Sequence, residues 1–238
     1  MRPRSVLLAN RVAKLWPADD AVALISTGRV RVDGLPVTNP RSMVRPGAVV
    51  TRAEASRLRG ETKLAAALEQ FAVQVPGLTA LDVGASTGGF TRELLARGAA
   101  RVFAVDVGHG QLLGSLRQDP RVVNLEGINV AHVSRQLIPN DIDLFTVDVS
   151  YLSLAEAARQ LLTLRSSRAS QLVGLVKPMF ELRLGVAPTD PASLTAATVR
   201  AVEELRRSGW EVSGTMESPV RGARGAIEGF VHAVLPPA

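Results

Sequence analysis

The chain of 238 residues contains no cysteine, which excludes disulfide bonds and thiolate metal sites and fits a reducing compartment. His109, His132 and His232 are too scattered to form a metal cluster, so we expect no bound metal. Six phenylalanines, two tryptophans and one tyrosine are too few to predict a stacking surface for single-stranded nucleic acid. No apolar run approaches the ~18 residues of a membrane helix, and polar residues interrupt the apolar segment after the basic N-terminus. We therefore expect a cytoplasmic protein without stable membrane association.

Lysine is also scarce, since only Lys14, Lys63 and Lys177 occur among 28 basic side chains. Arginine stays protonated in proteins, whereas burial and neighbouring groups can tune a lysine to accept a proton. Lys177 follows an apolar run that predicts a buried strand, and active sites of open α/β sheets lie at the carboxyl ends of strands. Codon bias would give the same composition, so a catalytic lysine and chance remain equal alternatives at this point.

Positive charge is concentrated in the first quarter of the chain. Residues 1–60 hold 11 basic and 4 acidic side chains, whereas residues 61–238 hold 17 basic and 18 acidic side chains. A basic module joined to a near-neutral body predicts an anionic partner, either nucleic acid or a membrane surface. A solvated arginine-rich surface is the simpler alternative.

The N-terminal pattern predicts helices over 5–15 and 17–27, with Pro17 in the first turn of the second. The alternating residues 29–32, followed by Asp33-Gly34, predict a β-hairpin with arginines on its outer face. The stretch from Ala23 to Gly34 resembles the small RNA-binding domain of ribosomal protein S-four, although a generic helix–hairpin unit is the alternative. We expect an RNA-binding domain over 1–50, a polar linker over 51–62 and a second domain over 63–238.

From residue 79 onward strands and helices alternate, which indicates a mostly parallel sheet covered on both faces. Strands are predicted at 79–83, 101–105, 121–125, 143–148, 171–176, 210–216 and 228–235, and helices at 64–71, 88–97, 110–117, 153–164 and 194–208. The connection from Glu217 to Ala226 is too short for a helical crossover, so the last strand is predicted antiparallel. The expected fold class is α/β, a Rossmann-like seven-stranded methyltransferase fold with a small α+β domain before it.

A glycine-rich loop follows the first strand of this sheet. Ser86 stands where the dinucleotide fingerprint has its second glycine, which lets a pyrophosphate approach, so a ligand without pyrophosphate is favoured. Asp106 ends the next strand about 20 positions after Gly84, where an acidic residue can accept hydrogen bonds from ribose hydroxyls. This pattern favours S-adenosylmethionine over NAD, with a cofactor-free loop as the alternative. Adenine would be read by Asn129 or Glu126, and either residue could instead be an ordinary turn residue.

Several motifs resemble the TlyA/haemolysin-A family, which is similar in turn to the FtsJ-type ribosomal RNA 2′-O-methyltransferases. The motifs are Gly84-Ala-Ser-Thr-Gly-Gly-Phe-Thr91, Ala104-Val-Asp-Val-Gly108, Leu116-Arg-Gln-Asp-Pro-Arg-Val122, Asp148-Val-Ser-Tyr-Leu-Ser-Leu154 and Leu175-Val-Lys-Pro-Met-Phe-Glu181. The resemblance covers nearly the whole chain. It implies a catalytic tetrad, which by position is Lys63, Asp148, Lys177 and Glu228.

The resemblance also implies a reaction, a cofactor and partners. The expected reaction is S-adenosylmethionine-dependent methylation of a ribose 2′-hydroxyl, in a cytidine of ribosomal RNA, by a monomer that binds ribosomal RNA or ribosomal subunits. Lys177, held by Asp148 and Glu228, is expected to accept the hydroxyl proton, and Lys63 to position the ribose. The residues expected to contact cofactor are Asp82, Gly84, Ser86, Thr87, Gly88, Gly89, Phe90, Asp106, Asn129 and Asp148. Those expected to contact RNA are Arg4, Arg11, Arg29, Arg31 and Arg59.

The chain departs from the family pattern at three places. The family's Lys-Pro-Gln-Phe-Glu has Met179 in place of glutamine, its Gly-Asn-x-Glu has Ala226 in place of asparagine, and the linker lacks the family's tryptophan. These departures motivate a second hypothesis, an RNA- or ribosome-binding protein that binds cofactor without turnover. A membrane-active haemolysin, suggested by the family name, is a third hypothesis.

Overall fold

The computed structural model describes residues 5–26, 28–52, 57–164 and 168–237. They form two compact units. One contains the residues up to Arg57 together with Leu113–Asp119, and the other contains Leu58–Leu112 and the residues from Pro120 onward. None of the described helices is long and apolar enough to cross a membrane.

The N-terminal part of the chain alternates short helices and short strands. In chain order these are β1 (Val6–Leu7), α1 (Leu8–Leu15), α2 (Ala21–Ser26), β2 (Val30–Val32), β3 (Leu35–Pro36), β4 (Met43–Val44) and β5 (Val50–Arg52). β2 pairs antiparallel with β3 and β5, and β1 pairs with β4. The predicted hairpin is confirmed, because β2 and β3 are joined at Asp33 and Gly34, which both have positive φ as a type I′ turn requires.

Both N-terminal helices begin later than predicted. Val6 and Leu7 pair with β4, so α1 begins at Leu8. Asp20 Oδ1 accepts hydrogen bonds from the backbone nitrogens of Val22 and Ala23, which makes Asp20 the N-cap of α2 in place of the predicted start at Pro17. The core of this unit is small and aliphatic and consists of Leu8, Val12, Leu24, Ile25, Val30, Val44 and Ala48.

The remaining elements include a seven-stranded sheet and its helices, and α5 among them belongs to the first compact unit. They are α3 (Arg59–Gln70), β6 (Thr79–Val83), α4 (Gly89–Ala96), β7 (Arg101–Asp106), α5 (Gly114–Arg117), β8 (Val122–Glu126), β9 (Leu144–Val147), α6 (Leu154–Leu161), β10 (Ser170–Val176), α7 (Pro178–Glu181), α8 (Pro191–Arg207), β11 (Glu211–Glu217) and β12 (Gly229–Leu235). The strand order is β11-β12-β10-β9-β6-β7-β8, and β12 runs antiparallel to both of its neighbours. The predicted Rossmann-like methyltransferase fold is therefore confirmed.

Helix α3 begins at Arg59, five residues before the predicted start at Leu64, so the end of the predicted linker is helical. Glu61 Oε1 accepts a hydrogen bond from the backbone nitrogen of Leu58 at 3.2 Å and satisfies a free donor of the first turn. Gly60 contacts Gly89, where an added Cβ would lie 2.9 Å from Gly60 Cα. These two glycines allow the first turn of α3 to pack closely on the first turn of α4, beside the glycine loop.

Candidate active site

The glycine loop after β6 has a conformation that requires its glycines. Gly84 has φ of +88°, and a Cβ there would lie 2.3 Å from the carbonyl oxygen of Asp148. Ser86 also has positive φ, and Gly88, at φ 94°, is the N-cap of α4. Only glycine adopts such a conformation at Gly84 without a clash, so the loop can pass close to the end of β9.

Two adjoining pockets follow this loop along the carboxyl edge of the sheet. The first, of about 190 Å³, lies beyond β6 and β7 and includes Asp106, Gln111, Ile128 and Tyr151 in its lining. The second, of about 340 Å³, is lined by residues that include Arg59, Lys63, Thr87, Gly89 and Phe90. Gly84, Ser86 and Asp148 border both pockets, so together these form one groove.

Asp106 fixes the geometry of the first pocket. Its Oδ2 accepts a hydrogen bond from Ser86 N at 2.8 Å, and its Oδ1 accepts one from Gly108 N at 2.7 Å. A carboxylate oxygen has two lone pairs, so Asp106 retains acceptor capacity for a ribose hydroxyl. The predicted acidic position thus lies at the pocket and also holds the glycine loop in place.

The four predicted tetrad residues lie together as two lysine–carboxylate pairs. Lys177 Nζ is 2.6 Å from Asp148 Oδ1, and Lys63 Nζ is 2.5 Å from Glu228 Oε2. Lys177 also donates a hydrogen bond to Ser150 Oγ at 2.8 Å. The expectation that Glu228 holds Lys177 is wrong, because Glu228 pairs with Lys63 and Ser150 is the second partner of Lys177.

The two pairs differ in exposure. The side chains of Lys63 and Glu228 are 9% and 6% exposed, whereas those of Lys177 and Asp148 are 15% and 23% exposed. Gly222 closes over Glu228, since a Cβ at Gly222 would lie 2.1 Å from Glu228 Oε1. A substrate can therefore reach the Lys177 pair more readily than the Lys63 pair.

A third cavity, of about 330 Å³, lies on the other side of the lysines. Lys63, Ser150, Lys177 and Glu228 form its polar part. The remainder of its lining is apolar and consists of Pro178, Met179, Phe180, Ala187, Pro188, Ala223, Ala226 and Ile227. Ser150 belongs to both the first pocket and this cavity, so the Lys177 pair lies between a groove at the glycine loop and an apolar cavity.

A family model described as FtsJ-like methyltransferase matches residues 56–234. The chain belongs to the FtsJ-like methyltransferase family. It is 43% identical over 220 residues to the 16S/23S rRNA (cytidine-2′-O)-methyltransferase TlyA of Mycobacterium tuberculosis, covering 89% of this chain and 82% of that protein. It is 32% identical over 221 residues to Hemolysin A of Brachyspira hyodysenteriae, covering 89% and 91%.

A solved structure of a relative has a similar fold. A Lactococcus lactis protein that carries the name of a hemolysin superposes with a TM-score of 0.70 at 32% identity, covering 74% of this chain and 87% of that chain. The range matched by the FtsJ-like family model includes Lys63, Asp148, Lys177 and Glu228.

Two residues predicted to contact cofactor have other partners in this FtsJ-like methyltransferase. Asp82 is fully buried and accepts hydrogen bonds from Thr91 Oγ1 at 2.6 Å and Thr146 Oγ1 at 3.0 Å. Burial raises the pKa of Asp82 to about 6. Contrary to the expectation, the Asp82 side chain joins β6 to α4 and β9 and does not line either pocket of the groove.

Asn129 is the second such residue. Its Oδ1 accepts a hydrogen bond from Ala131 N at 2.9 Å and caps a short 3-10 turn. Glu126, the alternative, accepts hydrogen bonds from the backbone nitrogens of Gln111 and Leu112. Both therefore act as turn residues, and the described lining of the first pocket has Ile128, Gln111 and Tyr151 in this region instead. The motif quoted for the family contains Tyr151, but no sequence signal pointed to Ile128 or Gln111.

Glu181 is a further residue that the sequence analysis did not assign to the site. Its side chain is buried, and Oε1 accepts a hydrogen bond from Leu154 N at 2.6 Å. Leu154 in turn packs over Gly174, where a Cβ would lie 2.2 Å from its Cδ1. Burial raises the pKa of Glu181 to about 7. Glu181 thus joins the turn that follows Lys177 to the segment that carries Asp148 and Ser150.

The predicted RNA-binding arginines have different environments. Arg31 is exposed on β2, and Arg29 is half-buried beside it. Arg11 donates hydrogen bonds to the carbonyl oxygens of Pro46 at 2.7 Å and Ala48 at 3.0 Å, so it stabilises its own unit. Arg59 begins α3 and lines the second pocket, in the unit that carries the lysine pairs. Arg4 lies outside the described residues.

Proposed function

We propose that this chain is an S-adenosylmethionine-dependent methyltransferase that modifies a ribose 2′-hydroxyl in ribosomal RNA, with cytidine as the expected nucleoside. The observation that carries the proposal is the pairing of Lys177 with Asp148, and of Lys63 with Glu228, at the edge of the groove. The name of the M. tuberculosis relative supports the substrate class. A ribosomal RNA substrate implies action in the cytoplasm, and we expect a monomer.

The residues of the groove fit S-adenosylmethionine. Asp106 offers carboxylate oxygens to a ribose. The Gly84–Gly89 loop brings its backbone close to the ligand, and it has Ser86 at the position where a pyrophosphate-binding loop has its second glycine. Gly84, Ser86, Thr87, Gly89 and Phe90 line the groove and would hold the amino acid portion, with Gly88 as the N-cap of α4 between them, and Asp148 borders the same groove. S-adenosylmethionine supplies a methyl group that its sulfonium has already activated.

Lys177 is proposed to accept the proton of the ribose hydroxyl. A ribose 2′-hydroxyl is a weak nucleophile, so its proton must leave as the oxygen attacks. Nζ donates a hydrogen bond to Ser150 Oγ and lies 2.6 Å from Asp148 Oδ1, and to accept the proton Lys177 must be a neutral amine with its lone pair free. These two neighbours would aim the lone pair of the neutral amine at the substrate hydroxyl, whose proton it takes, and fixing that direction contributes to the rate through orientation.

Lys63 is proposed to stabilise the ribose oxygen as negative charge develops on it. It lines both the groove and the cavity, so it reaches the space on either side of Lys177. A preorganised cation in a site that excludes water stabilises such charge more strongly than in solution. Glu228 holds Lys63 in this position through the buried ion pair.

We also propose a division of labour along the chain. The unit that contains β2 and β3 would bind RNA phosphates through exposed arginines such as Arg31. The predicted boundaries were an RNA-binding domain over 1–50, a linker over 51–62 and a catalytic domain over 63–238. We propose that the catalytic domain begins at Leu58, because Leu58 precedes α3 and Glu61 caps its first turn.

The test is transfer of labelled methyl from S-adenosylmethionine to purified ribosomal subunits. The wild type is expected to incorporate label. Lys177→Ala is expected to lose turnover but to bind S-adenosylmethionine with the same Kd as the wild type, as measured by calorimetry. Lys177→Arg is the matched control, because arginine stays protonated and cannot accept the hydroxyl proton, and it should be equally inactive. Cofactor binding without incorporation by the wild type would favour an RNA-binding protein without turnover, for which Met179 and Ala226 are the motivating departures.

A further inference from the structure

Glu181 is a buried acid that no step of the proposed reaction uses. Its Oε1 accepts a hydrogen bond from Leu154 N at 2.6 Å, and its Oε2 is buried and has no hydrogen-bond partner in the part of the chain that the structure describes. Leu154 is the first residue of α6, so its backbone nitrogen is one of the donors that the helix itself leaves free. One side chain thus connects the end of α7 to the start of α6.

The turn at the other end of this connection carries Lys177. The backbone nitrogens of Phe180 and Glu181 both donate hydrogen bonds to Lys177 O, at 2.9 Å and 3.1 Å. Lys177 is the N-cap of α7, and Pro178 is the first helical residue after it. A helix of one turn is not stable by itself, so the position of α7 depends on its contacts with neighbouring elements. A shift of Glu181 would therefore move Lys177 as well.

The sheet alone does not join Lys177 to Asp148. The ladder between β9 and β10 ends at Val147 and Gly174, so both side chains lie on segments that continue beyond it. Their atoms Nζ and Oδ1 are nevertheless 2.6 Å apart. The hydrogen bond of Glu181 is a connection between these two segments past the end of the ladder, because α6 follows the segment of Asp148 and α7 follows Lys177.

We propose that Glu181 is a positioning residue for methyl transfer, which holds the turn after Lys177 against α6 and so places Lys177 Nζ beside Asp148 and Ser150. Glu181 touches neither the groove nor the cavity in their described linings, so it acts through Lys177 and not on the substrate. The proposal rests on the proposed methyltransferase function and adds to it a residue that sets the geometry of the proton acceptor. Fixing that geometry contributes to the rate of the chemical step.

This connection depends on the protonation of Glu181. Burial raises the pKa of Glu181 to about 7, and the charged groups that face it are Glu156 on α6 and Arg200 and Glu204 on α8. Arg200 is paired with Glu204 at 3.0 Å, so it does not neutralise Glu181. An ionised Glu181 would place a buried charge on Oε2, which costs free energy unless the turn opens to water. The catalytic lysine would then lose its position as pH rises through 7.

The first test separates the hydrogen bond from the space that the side chain fills. Glu181→Met has a similar length but offers no acceptor to Leu154 N, and it is expected to lower kcat at least tenfold while KM for RNA changes less than threefold. Glu181→Gln keeps an acceptor and is expected to retain at least half of the wild-type kcat at pH 6.5. Ser170→Ala is the control, because it removes a buried hydrogen bond to Ile142 O at the start of β10 and should lower stability without lowering kcat.

The second test is the pH dependence of the single-turnover rate constant, measured with saturating S-adenosylmethionine and RNA for the wild type and Glu181→Gln. The ratio of the two rate constants cancels the titration of Lys177, which both proteins share. This ratio is expected to be near one at pH 6 and to fall at least threefold by pH 8.5, because only the wild type ionises at position 181. The comparison needs only the Gln variant, so it decides the matter if Glu181→Met does not fold.

The outcomes distinguish this proposal from the function on which it rests. Absence of methyl transfer by the wild type would overturn the proposed function and the role of Glu181 with it. Normal wild-type transfer would leave the function standing, and three results would then overturn the role of Glu181 alone. These are a Met variant with the wild-type kcat, a Gln variant as slow as the Met variant, and a ratio that does not change with pH.

Discussion

Lys63 Nζ and Glu228 Oε2 lie 2.5 Å apart although the two residues are separated by 165 positions in the chain. The pair joins the first turns of α3 to the residue that precedes β12, and both side chains are buried. A buried charge that loses its partner is destabilising, whereas removing both charges is often tolerated. The pair therefore has a structural role in addition to the catalytic role proposed for Lys63.

Lys63→Met is expected to lower the free energy of unfolding by about 3 kcal/mol, because it leaves Glu228 buried without its cation. The double variant Lys63→Met/Glu228→Gln should recover a large part of that loss. Urea unfolding of the wild type, both single variants and the double variant measures the coupling. Additive effects of the two substitutions would show that the pair contributes no coupling energy.

Ser150→Ala is expected to lower kcat about tenfold or more, because Lys177 loses one of the two partners that orient its Nζ. KM for RNA should change little, since the orientation of Nζ matters in the transition state and not in binding. Ser150→Thr keeps the hydroxyl and should retain most of the activity. A Thr variant as slow as the Ala variant would argue against the hydroxyl, and a change confined to KM would argue against orientation.

Asp106→Asn is expected to raise Kd for S-adenosylmethionine about tenfold, a loss of about 1.4 kcal/mol. The amide oxygen can still accept one of the two backbone hydrogen bonds that Asp106 makes with Ser86 and Gly108, but the charge that attracts ribose hydroxyls is gone. Calorimetry measures Kd directly. Asp190→Asn, at the exposed N-cap of α8, is the control. Equal Kd values for the two variants would show that Asp106 does not bind the ribose.

The fold was predictable because its signals are local. Alternating strand and helix periods placed all seven strands of the large sheet near their observed bounds, and the short connection before β12 identified the antiparallel strand. The glycine positions were equally readable, since Gly84 must pass the carbonyl of Asp148 without a side chain. The start of α3 was not predicted, because its N-cap position is Leu58 and not the Ser, Thr, Asp or Asn that usually marks a helix start. Glu61, inside the first turn, accepts the hydrogen bond from Leu58 N instead.

The partners of the site residues were harder to predict. Motif positions brought four residues to one edge of the sheet, but sequence carries no information on which lysine pairs with which carboxylate. Asp82 and Asn129 were assigned to the cofactor from their place in motifs, and their side chains are used by the protein itself. Which way a polar side chain turns depends on neighbours such as Thr146, which bonds to Asp82 and lies outside the quoted motifs.

Glu181→Gln is expected to change the pH dependence of stability. The pKa of Glu181 is raised from 4.5 to about 7 by burial, so the folded protein holds a proton that the unfolded chain releases between these pH values. Ionisation of this buried group therefore costs stability as pH rises from 4.5 through 7, up to about 3 kcal/mol. Glutamine keeps an acceptor for Leu154 N and carries no charge.

The variant should consequently be more stable than the wild type at pH 8, and the difference should shrink as pH falls toward 4.5. Urea unfolding of both proteins at several pH values measures this difference. Glu203→Gln, on the exposed side of α8, controls for removal of a carboxylate. A stability difference that does not vary with pH would show that Glu181 is not a neutral buried acid.

Arg31→Ala tests whether the basic N-terminal unit binds RNA. Arg31 is exposed on β2, whereas Arg11 is occupied with the carbonyl oxygens of Pro46 and Ala48, so Arg31 is the better placed of the two for a phosphate. Each phosphate contact contributes about 0.7 to 0.9 to the slope of log K against log salt. Arg31→Ala should therefore weaken binding of a ribosomal RNA fragment and lower the magnitude of this slope by about 0.7 to 0.9, the contribution of one phosphate contact. Fluorescence anisotropy at several salt concentrations measures both effects. Arg207→Ala, on the solvent face of α8, should leave the slope unchanged, and an unchanged slope for Arg31→Ala would mean that β2 does not face the RNA.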